Sequence, residues 1–259
     1  MTTIPLGKLL MVPMIVGTVS VTDKADESYS VQIENCRKQT VLAVQAARLR
    51  DQARLRTYLK ENSSPLHRVI YGYALLRIDP RRNVNHFLRA FPDPPPSDFN
   101  LALIDEAFPG EGSAPIFPGD TQPFSYWSIN KALLRMAKSG NSLALKVWLH
   151  CAGSGAEHIE GHLEDLAEFF SASPGMVIRN WEQFRSSVDE IYVYEQEPKH
   201  FKTLRRKYSQ LLPTNHPCRE EILAVVDRLE ADAIREKENR RLAWDEFIKK
   251  ANQNPAVSP

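Results

Sequence analysis

Apolar side chains recur at three- or four-residue intervals in one segment after another, and nearly every such run is bounded by proline, glycine or a residue able to cap a helix. That period lines one face of an α-helix, whereas a half-buried strand would alternate. The breaks constrain the fold as much as the runs. The chain has 18 prolines, clustered rather than spread, and a proline ring removes a donor and clashes with the preceding turn. Helices must therefore be short and joined by loops. The fold class that follows is all-α: packed helical hairpins, either α-solenoid-like or an irregular helical bundle, with no sheet at the centre.

Residues 29–61 read as one long helix. Val41, Leu42, Ala46, Leu49, Ala53 and Leu59 line one face, and Arg37, Lys38, Arg48, Arg50, Arg54 and Arg56 the other. Asn62-Ser63-Ser64-Pro65 ends it, and Pro65 suits the first turn of a second helix running to about Arg77. Asp79-Pro80 repeats that signal and opens a helix burying Val84, Phe87, Leu88 and Phe91. The proline run from Pro92 to Pro96 is an extended connector. Asp98 caps a short helix ending near Phe108, and the Gly- and Pro-rich residues 109–124 form a long loop.

Ser125 begins a helix through Trp127, Leu133, Leu134 and Met136, closed by Ser139-Gly140. Asn141 caps the next, carrying Leu145, Trp148 and Leu149. Residues 156–170 hold Ile159, Leu163, Leu166, Ala167 and Phe170 at helical spacing, and Pro174 opens a helix with Val177, Ile178, Trp181 and Phe184. Tyr192-Val193-Tyr194 is β-prone but isolated. Pro198 starts a basic helix to Leu212, and Pro217 starts a long final one. There Ile222, Val225, Val226, Leu229 and Ala233 form a stripe, which Trp244, Phe247 and Ile248 resume after a charged run.

The Lys138-Ser139-Gly140-Asn141 turn between two amphipathic helices, and the proline opening the helix at 174, resemble HEAT-like α-helical repeats. Coverage is about residues 125–186, with an echo at 65–91. Hairpin units begin near 65, 126 and 156, and Phe87, Leu149 and Trp181 each fall seven positions into a second helix. The resemblance implies a stacked-hairpin scaffold and no particular activity.

At the N-terminus, the fourteen residues from Leu9 to Thr22 carry no charge, with Lys8 before them and Asp23 after. That is short for a membrane span and suits the apolar part of a secretory signal, with Thr18 and Ser20 permitting cleavage after Ser20. Residues 1–22 are thus expected to be a signal peptide, 29–250 a single α-helical domain with any sub-boundary in 92–124, and 251–259 a flexible tail. The protein is then exported, periplasmic or secreted. If the stretch is not a signal it is a buried N-terminal strand or a flexible apolar tail and the location is cytoplasmic; an uncleaved anchor is the third alternative. Cys36, Cys151 and Cys218 allow at most one internal bridge and show no zinc spacing.

His158-Ile159-Glu160-Gly161-His162 places two histidines at i and i+4, where they can share a metal. A zincin needs Glu directly after the first His. Here Glu160 points about 200° around the helix from His158. Solvent-facing histidines are the plainer reading. Glu164/Asp165 and Asp105/Glu106 are adjacent, so each pair diverges. No nucleophile elbow, P-loop or dinucleotide motif occurs, and no cofactor is expected. Gly153-Ser154-Gly155 is a helix-ending turn rather than an anion cradle. The arginines of 37–56, with Lys199, Lys202, Arg205, Arg206 and Lys207, form two basic faces. Lys plus Arg total 33 against 32 for Asp plus Glu, a balance that argues against a dedicated nucleic-acid binder. The four tryptophans read as core anchors. The leading expectation is a non-enzymatic, exported helical scaffold that contacts another protein through the final helix or the 109–124 loop. The alternatives are a metal-dependent hydrolase using His158 and His162, and a polyanion binder using the basic helices 37–56 and 199–207.

Overall fold

A computed structural model describes residues 22–96, 99–108, 115–117, 124–151, 159–191 and 197–253. Outside them lie nearly all of the segment expected to be a signal peptide (1–21), Asp98 with its expected cap, most of the expected 109–124 loop, Gly153-Ser154-Gly155, His158 and Tyr192-Val193-Tyr194. Twelve α-helices and no strand occur among the described residues. None of those helices is long and apolar enough to cross a membrane.

The expected long first helix is two: α1 (Thr22–Arg48) and α2 (Gln52–Glu61). Arg50 takes up the left-handed region at φ 53°, and Asp51 caps α2 by accepting from the Arg54 amide at 3.0 Å. The break turns α2 back so that Leu55 enters the core, against α3 (Pro65–Ile78). Every residue of α3 from Val69 to Leu76 is buried, as expected of a helix enclosed on all sides. Gly72 lets α4 (Pro80–Leu88) come close: a Cβ there would meet the Ala90 Cβ at 3.0 Å and the Phe87 Cα at 3.2 Å. Asp79 caps α4 through the Arg82 amide at 3.1 Å. Buried Asn83 donates to the Leu75 carbonyl at 2.9 Å and accepts from Arg56 at 3.3 Å. The short helix before Phe108 is one turn, α5 (Leu103–Glu106).

In the second half the expected caps form. Ser125 accepts from the Ser128 amide at 3.1 Å to open α6 (Tyr126–Lys138). Gly140 turns the chain at φ 102°, and Asn141 accepts from the Ala144 amide at 3.0 Å to open α7 (Ser142–Cys151). Next comes α8 (Ile159–Ala172). The single helix expected after Pro174 is broken into α9 (Pro174–Arg179), α10 (Trp181–Phe184) and a 3-10 turn over Arg185–Glu190. Asn180 makes the break: its backbone leaves helical geometry and its side-chain amide donates to the Met176 carbonyl at 2.9 Å. The bend directs both Trp181 and Phe184 inward. The chain closes with α11 (Pro198–Leu211) and α12 (Arg219–Gln253), which carries the helix three residues into the segment expected to be a flexible tail.

Neighbouring helices pack as pairs: α3 with α4, α6 with α7, α8 with α9, α11 with α12. The second helices of the first two of these hairpins touch, α4 on α7, and α7 also touches α10, the continuation of α9 past the Asn180 break. Phe87, Leu149 and Trp181, the equivalent positions on those helices, are all buried. One continuous core runs from Cys36 to Ala233. The two halves are tied by Asp105, which accepts from the Tyr126 amide at 2.8 Å, and by Phe124, whose ring meets Tyr73 edge-on at 5.1 Å. Cys36 and Cys218 are free and buried, and burial pushes the Cys36 thiol up to about 12.

Candidate functional site

The histidine candidate is settled in part by which face of α8 packs inward. His162, Leu166 and Phe169 follow at i, i+4 and i+7, one helix face, and all three are buried. His162 is only 3% exposed and meets the Trp148 ring edge-on at 5.1 Å. It is therefore a core residue and not the solvent-facing side chain expected. His158 lies outside the described residues. Among those described, no three His, Cys, Asp or Glu side chains gather where they could hold a metal. Gly161 has a packing reason that the sequence did not show: a Cβ there would run into the Trp127 ring.

Glu164 and Asp165 diverge as expected, Glu164 outward and Asp165 half-buried. Asp165 accepts from the Asn130 amide at 3.2 Å, and the Asn130 oxygen accepts from the Trp148 indole at 2.8 Å. Burial holds the Asp165 carboxyl above its usual range. The arrangement joins α6, α7 and α8 through one indole, one amide and one carboxylate. It contains no nucleophile beside a base.

The burial of His162 predicts an acid-sensitive fold. Burial disfavours the imidazolium and lowers its pKa from 6.5, with no partner for Nδ1 among the described residues. On acidification the unfolded chain gains that proton first, so this contribution to stability is present above 6.5 and lost as pH falls below it. His67, also lowered by burial, acts in the same direction. The urea midpoint should fall between about pH 7 and about pH 5, and His162→Phe should shrink that fall while keeping the contact with Trp148. An unchanged pH response in the variant would remove His162 as the cause.

The basic faces are largely engaged by the chain itself. Arg37 donates to the Ala107 carbonyl at 2.8 Å. Arg48 donates to the carbonyls of Pro115 at 2.8 Å and Ile116 at 3.2 Å, and Arg50 lies over the Phe117 ring. These cations hold the segments on either side of the 109–114 stretch against α1. On α11, Arg205 pairs with Asp227 at 2.6 Å and Lys202 with Glu230 at 3.9 Å. A shallow cleft of about 240 Å³ lies between α1, the start of α3 and the segment before α5. It is lined by Gln32, Asn35, Ser64, His67, Phe99 and Asn100, among others, and by no charged side chain.

The feature that stands apart is the far half of α12. Ile222, Leu223, Val226, Leu229 and Ala233 are buried, with α11 packed against α12. From Lys237 to Lys250 every residue is exposed. Trp244 is 62% exposed and Phe247 60%, their rings stacked at 5.6 Å beside Ile248. Trp148 and Trp181 are the core anchors expected, Trp127 is half-buried, and Trp244 is not in the core at all. The helical period that suggested burial is real, but the body of the protein ends before it. At 100° per residue, Trp244, Phe247 and Ile248 fall in the same arc of about 100° as the buried stripe. The seam that binds α11 thus runs on uncovered. Comparison with known proteins finds no matching family model, no matching curated protein and no matching solved structure.

Proposed function

We propose that this chain is a HEAT-like, stacked-hairpin scaffold that docks another protein along the projecting half of α12. The observation that carries the reading is the exposed seam of Trp244, Phe247 and Ile248, in line with the face that packs inside the same helix. A contiguous apolar surface of this kind on a helix rimmed by charges is a usual mark of an interaction site. The order α4–α7–α10 supports a repeat scaffold, in which each hairpin leans on the next. The uncharged run from Leu9 to Thr22 supports export of the scaffold, and an intact mass of the native protein should lack about the first twenty residues.

Replacing Trp244, Phe247 and Ile248 together by serine should change the unfolding free energy by less than about 0.5 kcal/mol, because exposed side chains away from special contacts contribute little. The same variant should lose whatever protein co-purifies stoichiometrically with the native chain. Identical recovery from both chains, with the variant folded, would dispose of docking at this seam.

A further inference from the structure

The charges around the seam identify the kind of partner, an inference that rests on the docking proposed above. Between Ile234 and Lys250 the arc of the seam holds Lys237, Arg240, Trp244, Phe247 and Ile248, with Arg241 at one edge and Glu236 at the other. Glu238 and Glu246 lie toward the back of the helix, and Asp245 on the flank beyond Arg241. The uncovered face is therefore aromatic and basic, without a carboxylate inside it.

The fold also shows how such a face is met. At the N-terminal end of α11, Glu197 accepts from Lys237 at 2.8 Å, and Lys237 holds the Glu197 carboxyl below its usual range. That pair closes the covered stretch. Beyond it the two arginines beside the seam are less well matched: Arg240 is 3.7 Å from the half-buried Glu236 and Arg241 4.0 Å from Glu238, while Lys250, outside the arc, pairs with Glu246 at 2.7 Å. Such pairs contribute little and are readily exchanged. From Lys237 to Lys250 the seam runs on for about 20 Å, the length of three to four helical turns.

We propose that this stretch binds an acidic amphipathic helix of another protein, laid end to end with α11. Its apolar stripe covers Trp244, Phe247 and Ile248, and its flanking Asp or Glu side chains meet Arg240 and Arg241 as Glu197 meets Lys237. A second copy of this chain fits poorly, because its seam would bring its own Lys237, Arg240 and Arg241 against the same cations, with Glu236 the one carboxylate at its edge. A membrane surface fits poorly because the apolar arc is narrow, the shape of a helix–helix seam, whereas a helix lying in a bilayer interface presents a broad apolar half.

The test uses the full chain and two synthetic helical peptides with the same leucine stripe, one flanked by Glu and one by Lys. Binding is read from the blue shift of Trp244 emission and by calorimetry. The Glu-flanked peptide should bind at least about tenfold more tightly, a gap of about 1.4 kcal/mol. Arg240→Gln with Arg241→Gln should narrow the gap to less than about threefold, and Trp244→Ala with Phe247→Ala should abolish binding of both peptides. Equal affinity for the two peptides would overturn the acidic partner while leaving docking at the seam intact. Binding of neither peptide would overturn it too, as would dimerisation of the chain through the seam, seen by sedimentation and lost in the Trp244/Phe247 variant. Partition onto phosphatidylserine vesicles in place of peptide binding would assign the face to membranes instead.

Discussion

Trp148→Ala should lower the unfolding free energy by about 3–5 kcal/mol, the range for truncating a large buried aromatic. The ring is fully buried, lies 5.5 Å from Phe169 and 5.1 Å from His162, and donates to Asn130 at 2.8 Å. Truncation opens a cavity between α7 and α8. It also leaves the Asn130 oxygen without that donor inside the core, a further cost of about 1–3 kcal/mol where no water replaces it. Denaturant unfolding measures the loss. Trp148→Phe separates the two contributions, since it keeps most of the volume and removes only the donor. A loss under about 1 kcal/mol for Trp148→Ala would mean that α7 and α8 do not share a packed core.

The second large effect comes from the opposite error, adding volume where two backbones meet. Gly72→Val should destabilise by about 2–3 kcal/mol, at the upper end of the usual cost of overpacking. The first added carbon already meets the Phe87 Cα at 3.2 Å and the Ala90 Cβ at 3.0 Å. Backbone cannot swing aside as a side chain can, so α4 must move off α3. Gly72→Ala is the informative control. Alanine gains up to about 1 kcal/mol in helix propensity, which offsets part of the crowding. Thermal unfolding of the three chains should therefore rank glycine and alanine close together and valine well below. Valine ranking with glycine would place α4 farther from α3 than the structure has it.

Much of the helical pattern was legible because it is local. Ser125, Asn141 and Asp79 cap where their positions beside apolar runs say they should, and Gly140 turns where only a residue without a Cβ does so freely. The failures were also local in origin but tertiary in outcome. Asp51 and Asn180 sit inside stripes that continue unbroken in sequence. The chain bends at both, because Leu55, Trp181 and Phe184 reach the core only after a turn.

The candidate surface was half visible. Periodicity placed Trp244, Phe247 and Ile248 on the apolar face of the last helix, and placed His162 on a face shared with other large side chains. It had no means to say which face finds a neighbour. Spacing reports the angle of a side chain about its own helix axis, and that is fixed by neighbours in the chain. Burial depends on how far the packed body extends along that axis, which is decided by elements distant in sequence. Local spacing is thus enough to read an all-α chain with most of its caps and stripes. Long-range packing is what encloses His162 against Trp148 and leaves Trp244, on an equally regular stripe, beyond the end of α11 and in solvent.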